Sequence, residues 1–208
     1  MSLAEAIAAG AAAMGLDVPP EARARMAAHL ELVAKWNRVH NLTAVRETEQ
    51  MVVLHVLDSL SLLPHLDGAR SLLDVGSGAG FPGIPVAIAR PDVQVTLLDS
   101  SHKKCAFLEQ ARTELGLANV TVFCGRVEQW RPARPFDVVA SRAFAELPDF
   151  VAQAQHLVAP GGRLLAMKGV HPFDEIARVP ASHRVAAVVP LQVPHLEAKR
   201  HLVIVEAA

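Results

Sequence analysis

Apolar residues recur at two different periods along the chain, and the change falls near residue 66. Before it the spacing is helical. Residues 3–15 are alanine-rich and predict a first helix. Pro19-Pro20 open a second, running to about Val39, with Met26, Leu30, Val33 and Val39 on one face. A third, from about Glu47 to Leu63, carries Met51, Leu54, Leu57 and Leu62; Pro64 and Gly68 end it.

Beyond residue 66, short apolar runs alternate with helical segments. The predicted strands are Ser71–Val75, Gln94–Leu98, Val120–Phe123, Phe136–Ala140 and Arg163–Met167, with helices near Ser101–Leu115 and Leu147–Leu157. Alternation of this kind builds βαβ units and a parallel sheet. Right-handed crossovers then leave few topologies. The chain's last stretches, "HRVAAVVPLQVP" and "RHLVIVEA", read as two strands with no helix between them. They predict an antiparallel pair at one sheet edge. The expected organisation is an N-terminal helical cap over residues 1–66 and an α/β domain over 67–208, packed as one compact unit.

Composition narrows the class. Half of the 208 residues are apolar and spread evenly, which fits a globular chain and not a disordered one. No apolar run is long enough for a spanning helix, and the alanine-rich start lacks the basic residues of a signal peptide. A cytoplasmic protein without membrane contact is expected. Cys105 and Cys124 form no C-x-x-C pair, which predicts neither zinc cluster nor disulfide framework; Cys124 is expected to be a small buried residue. Ten histidines include no H-E-x-x-H pattern, so no metal is expected. The net charge of −1 argues against a protein that coats nucleic acid, but leaves room for a local basic face.

The stretch Asp74–Gly83, "DVGSGAGFPG", carries the first chemistry. A strand that ends in an acid and breaks into glycines is a nucleotide-binding turn. A dinucleotide fingerprint wants G-x-G-x-x-G. Here Gly76, Gly78 and Gly80 alternate, and Phe81 stands where the third glycine of a dinucleotide turn belongs. A pyrophosphate needs turn amides facing it; a ligand with an amino-acid portion and an adenosine has less need of them. S-adenosylmethionine (SAM) is such a ligand. Asp99, nineteen residues after Gly80, supplies the acid that accepts from ribose hydroxyls. Asp99 alone does not separate SAM from NAD. The Pro160-Gly161-Gly162 turn and the terminal strand pair favour SAM, since both resemble features of class I methyltransferases. The alternative for Gly80 is easier strand–helix packing.

After the fourth strand stands Ser141-Arg142-Ala143-Phe144, "SRAF". The Asn/Asp-Pro-Pro-Tyr/Phe motif of exocyclic base amines is absent, and so is the Pro-Cys motif of cytosine C5 chemistry. An arginine there suits an electron-rich acceptor that needs no deprotonation. Guanine N7 fits, because positioning carries most of such a reaction. The structural alternative for Arg142 is an ion pair with Glu128 or Asp149.

Eight segments in order, "KWNRVHNLTAVRE", "HVLDSL", "DVGSGAGFPGIPVAI", "VTLLDS", "GRVEQW", "SRAF", "MKG" and "LQVPHLEAKRHLVIV", resemble the RsmG family, also called glucose-inhibited division protein B. The resemblance runs from about Lys35 nearly to the end. It implies a Rossmann-like class I SAM-dependent methyltransferase acting on N7 of a guanine in small-subunit 16S rRNA. Carried over by motif, Gly76, Ser77 and Phe81 contact SAM, Val127 and Glu128 border its adenine, and Arg142 lies between cofactor and acceptor without acting as a general base. Asp74, Gly78, Gly80 and Asp99 belong to the general class I site. Phe81 departs from the leucine of some members; either side chain supplies an apolar wall.

Arg126, Lys168, Lys199, Arg200 and His201 are the RNA-binding candidates, a basic patch that the overall charge hides. Asn37, Asn41 and Thr43 read either as a helix-end turn or as RNA contacts. Trp36 reads as interhelical packing. His55 and Asp58 share a helix face and read as links between cap and domain or as part of the chemistry. A monomer bound to the small subunit is the expected working state. Three rivals stay open: a small-molecule methyltransferase, a non-catalytic SAM-binding assembly factor, and a NAD oxidoreductase, the last disfavoured by Phe81.

Overall fold

The leucine- and valine-rich runs pair into a seven-stranded sheet. Its strands are β1 (Ser71–Val75), β2 (Gln94–Asp99), β3 (Val120–Cys124), β4 (Phe136–Arg142), β5 (Val158–Lys168), β6 (His183–Pro190) and β7 (His201–Ala207). Their order across the sheet is β3-β2-β1-β4-β5-β7-β6. The first five run parallel; β7 enters antiparallel beside β5 and β6 closes the edge. The parallel strands and the antiparallel pair at the edge are those that the sequence pattern predicts, and the arrangement is the class I fold that the resemblance implies. The structure, a computed structural model, describes residues 1–142 and 144–208; Ala143, inside the SRAF stretch, lies outside them.

The helices are α1 (Leu3–Ala13), α2 (Pro20–His40), α3 (Thr48–Met51), α4 (Asp58–Leu60), α5 (Gly83–Ala89), α6 (His102–Glu114), α7 (Leu147–Ala154) and α8 (Phe173–Ile176). Ser2 starts α1 with a reciprocal capping box to Glu5. Pro20 opens α2 at its first turn, and Asn41 ends it in the left-handed conformation. The cap helices share a core with one face of the sheet: Met26, Leu30, Val33, Met51 and Leu57 are buried together with Leu72, Val95 and Leu97. The other face packs against α7 through Phe150, Val151 and Ala154. Burying both faces explains why the central strands read as continuous apolar runs.

Two expectations about apolar faces are corrected. Val39 is 75% exposed, because the buried stripe of α2 continues through Asn37 and Val39 points away from it. Leu54 is only half-buried. Between α3 and α4 the helix is π-helical over Val52–Leu57, which shifts the face by one residue per turn. The Asp58 amide accordingly bonds to His55 O and Val53 O, not to Leu54 O. Cys124 is exposed, and it is Cys105 that is buried. Trp36 packs edge-on against Phe107, as its interhelical reading requires.

Candidate active site

β1 is buried and ends at Val75, so the chain must turn sharply before α5. Gly76, Gly78 and Gly80 take φ values of 72°, 58° and 88°, a region that costs glycine nothing extra. A Cβ at Gly76 would lie 2.9 Å from the Phe144 ring, and one at Gly80 would lie 2.4 Å from Ile84 Cδ1. Gly80 thus serves close packing, while Gly76 leaves space in a cleft. The Gly78 amide donates to Asp99 Oδ2 at 3.0 Å, and the Ser101 amide donates to Oδ1 at 2.9 Å. Two backbone donors therefore fix the Asp99 carboxylate at the end of β2 and leave it lone pairs for a ligand.

The cleft holds about 640 Å³ and lies at the carboxyl ends of β1, β2 and β3. Leu98, Val127 and Phe144 supply apolar wall; Gly76, Asp99 and Glu128 supply the polar rim. Open α/β sheets place ligands at this edge. Lys104 and Arg126 also border it, and Arg126 turns toward Glu128 at 3.4 Å. Two carboxylates and two cations offset each other at this rim, so charge does not select the ligand; the apolar wall beside the Asp99 carboxylate fits an adenosine.

Asp74 lies beneath the turn. Its Oδ2 accepts from the Gly83 amide at 2.9 Å, and its Oδ1 is buried with no partner. Burial pushes its pKa up to about 6 despite the Gly83 bond. Ser77 is buried as well and donates to Asp74 O at 2.9 Å. Asp74, Ser77, Gly80 and Phe81 therefore shape the cleft from behind and are not in its wall, whereas Gly76, Asp99, Val127 and Glu128 are.

Phe81 packs between the rings of His29 and His55, with centroids 4.7 Å from each, and Arg142 Cζ lies 5.4 Å from its centroid. His29 Nε2 lies 2.9 Å from Ala79 O. Burial lowers the pKa of His29 to about 4. His55 is likewise lowered to about 4, by burial first and by the Arg142 charge second. Both rings are neutral at pH 7.

A second cavity of about 400 Å³ opens at the ends of β4 and β5. It is lined by Val45, Leu54, His55, Asp58, Arg142, Met167, Lys168, Gly169 and Arg200. These come from five separate segments: "NLTAVRE", "LHVLDSL", "SRAF", "MKG" and "AKRHL". Arg142 lines this cavity and not the first. Its partner is neither Glu128 nor Asp149. Arg142 Nη1 donates to Asp58 Oδ2 at 3.1 Å and to Leu54 O at 2.9 Å. Leu54 O does not receive the Asp58 amide, which bonds to His55 O and Val53 O, and it also lies 2.9 Å from His55 Nδ1. Arg200 Nε donates to Asp58 Oδ1 at 3.2 Å. Thr43 Oγ1 lies 2.9 Å from His55 Nε2; Asn37 accepts from the Thr43 amide and donates to Val45 O. These contacts match the turn reading of Asn37 and tie that turn to the cavity.

The RNA-binding candidates divide. Lys168 and Arg200 join Arg142 in the second cavity, with Lys199 exposed beside them. Lys168 Nζ donates to Ala145 O at 2.9 Å and to Glu175 Oε2 at 2.7 Å. His201 Nδ1 lies 2.8 Å from Gly169 O. Arg126 stands apart, at the first cleft. Sequence reasoning missed Leu54 O, Phe144 and Lys104. The one available signal was Phe144, two residues after Arg142, which places the end of β4 between the cavities.

Comparison with known proteins agrees with this arrangement. Residues 22–203 match the family model described as rRNA small subunit methyltransferase G. A protein of Aromatoleum aromaticum named ribosomal RNA small subunit methyltransferase G is 56% identical over 95% of both chains. One of the same name from Neisseria meningitidis is 55% identical over 98% of both. Among solved structures, the glycopeptide N-methyltransferase MtfA aligns with a TM-score of 0.63 at 13% identity, covering 74% of this chain and 96% of that one. The O-methyltransferase TomG from Streptomyces achromogenes, in complex with SAM, aligns with a TM-score of 0.56 at 17% identity, covering 86% and 89%. The structural likenesses show the fold alone; the family model over residues 22–203 and the near-full-length sequence matches show that the chain belongs to the rRNA small subunit methyltransferase G family.

Proposed function

We propose that this chain transfers the methyl group of SAM to N7 of a guanine in small-subunit 16S rRNA. It works as a monomer in the cytoplasm. The observation that carries the reading is the basic cavity of Arg142, Lys168 and Arg200 beside the cleft of Asp99 and Glu128.

Bound in the cleft, SAM supplies an electrophilic methyl group. Asp99 would hold the ribose, Val127 and Glu128 would border the adenine, and Gly76 would leave room for the amino-acid portion, with Asp74, Ser77, Gly78, Gly80 and Phe81 fixing the turn. Guanine N7 carries a free lone pair, so the reaction needs no general base. His55, whose pKa burial and then Arg142 lower to about 4, is a weak base there, which agrees with that. What the site must do is orient the base. Arginine usually captures guanine through O6 and N7 together, which would consume the attacking lone pair. Asp58 takes one donor from Arg142 and one from Arg200 and so fixes both guanidinium planes; a guanidinium aimed at O6 alone leaves N7 free. The remaining donors are left for O6 and for phosphate. Methylation gives the purine a positive charge, and the two guanidinium groups then favour its release.

A cavity of this size at the sheet edge takes a base that is out of its stack, which suits a loop and not a duplex. The test is methyl transfer from labelled SAM to small subunits lacking their own N7-methylguanine, followed by nucleoside analysis. N7-methylguanosine at one site is expected. SAM binding without transfer to subunits would favour a small-molecule acceptor instead.

A further inference from the structure

Downstream of β5 the chain holds an aromatic ring that the core does not use. β5 ends at Lys168, in the wall of the basic cavity. Five residues on, Phe173 opens α8 with 72% of its surface exposed. The ring is nonetheless held in place. Glu175, in the same short helix, accepts from Lys168 Nζ and from the Leu147 amide. The His171 ring stacks on Phe173, with centroids 3.8 Å apart and planes 26° from parallel. His171 in turn meets His201 edge-on at 5.5 Å, and His201 Nδ1 lies against Gly169 O. One face of Phe173 is covered by His171, and its exposure belongs to the other.

The surroundings select the occupant. Lys168 is paired with Glu175, but Lys199 is exposed beside it, and Arg142 and Arg200 share the one carboxylate of Asp58, so net positive charge remains on this side of the cavity mouth. Asp174, directly after the ring, is exposed and repels phosphate. A nucleic acid lying here therefore meets the ring with a base and the cations with its backbone. Aromatic side chains hold unpaired bases in this way without reading their identity.

We propose that Phe173, braced by His171 and His201, is a stacking platform for an unpaired nucleobase next to the guanine in the basic cavity. This rests on the rRNA reading and adds to it. Extruding the target guanine costs a stacking contact. Phe173 replaces that contact for the neighbouring base and so fixes how far the strand is splayed.

The test compares Phe173→Ala, Phe173→Leu and Phe173→Trp with the parent in steady-state methylation of small subunits that lack N7-methylguanine. The Ala and Leu variants should raise KM for subunits roughly tenfold, leave kcat and SAM affinity unchanged, and the Trp variant should stay within about twofold of the parent. Circular dichroism confirms folding, which an exposed position should not disturb. An unchanged KM in Phe173→Ala overturns the proposal. So does full function in Phe173→Leu, since an apolar contact would then suffice without a ring. A parent protein that binds SAM but methylates no subunit rejects the rRNA reading itself, and with it the platform.

Discussion

Asp58 and Arg142 lie 84 positions apart in the chain and meet at 3.1 Å, joining the helical cap to the end of β4. The second oxygen of Asp58 receives Arg200 at 3.2 Å, so one carboxylate with 1% exposure balances two guanidinium groups. Removing the acid leaves two like charges facing each other with no counter-charge. Asp58→Ala should cost about 3 kcal/mol of folding stability. It should also lower kcat/KM for rRNA by at least roughly a hundredfold, while SAM binding at the separate cleft persists. Urea unfolding, calorimetric SAM titration and methylation measure the three effects. Turnover at the parent's rate would show that Asp58 does not orient the arginines.

Arg142→Lys keeps the charge and loses the fork. Nη1 serves Leu54 O and Asp58 together, and Nη2 lies 3.3 Å from His55 Nδ1. A lysine ammonium is a single point and cannot span these positions. The expected loss is roughly thirtyfold in kcat/KM, or about 2 kcal/mol of transition-state positioning. Arg142→Ala should lose more activity, yet only about 1 kcal/mol of stability, because Arg200 still pairs with Asp58. A lysine variant as active as the parent would mean that charge alone is required.

Gly76→Ala tests the cleft. The new Cβ meets Phe144 at 2.9 Å in a backbone with φ of 72°. Stability should fall by about 1–2 kcal/mol from the left-handed backbone alone, and SAM affinity should fall at least roughly tenfold as Phe144 moves in the wall of the cleft. Gly161→Ala is the control, with φ of 76° and no atom within 4 Å of the added carbon. It should show the stability loss without the binding loss. Equal SAM affinity in both variants would remove Gly76 from the cofactor site.

What sequence could and could not say follows from the range of the forces involved. The strands were legible because burial on both faces leaves uninterrupted apolar runs; β1 matches its expected bounds of Ser71–Val75. The glycine turn was legible because positive φ is a local demand. Arg142 and Asp58 each stand out alone, but nothing local joins residues 84 positions apart, so the sequence offers only Glu128 and Asp149 as partners. Leu54 was assigned to the core by a period of 3.6, which the π-helical stretch breaks. Phe173 was invisible because a helix of four residues has no period to read.

The buried titrating groups set an acid limit whose sign can be derived. Burial lowers His29 and His55 to about 4, against about 6.5 when unfolded. Between those values the unfolded chain binds more protons, so stability is lost as pH falls from about 6.5 toward 4. His65, lowered by burial and by Arg163, acts in the same direction. Asp74 opposes them. Burial raises it to about 6, so the folded state carries its proton at pH 5, and its contribution is lost as pH rises through 6. Near pH 5 the histidines outweigh this one acid by about one proton, a slope of about 1.4 kcal/mol per pH unit. The urea midpoint should therefore drop between pH 6.5 and 5. Asp74→Asn retains an acceptor for the Gly83 amide and removes the opposing titration, so its midpoint should fall more steeply over the same interval. A slope equal to or shallower than the parent's would show that Asp74 does not carry the extra proton.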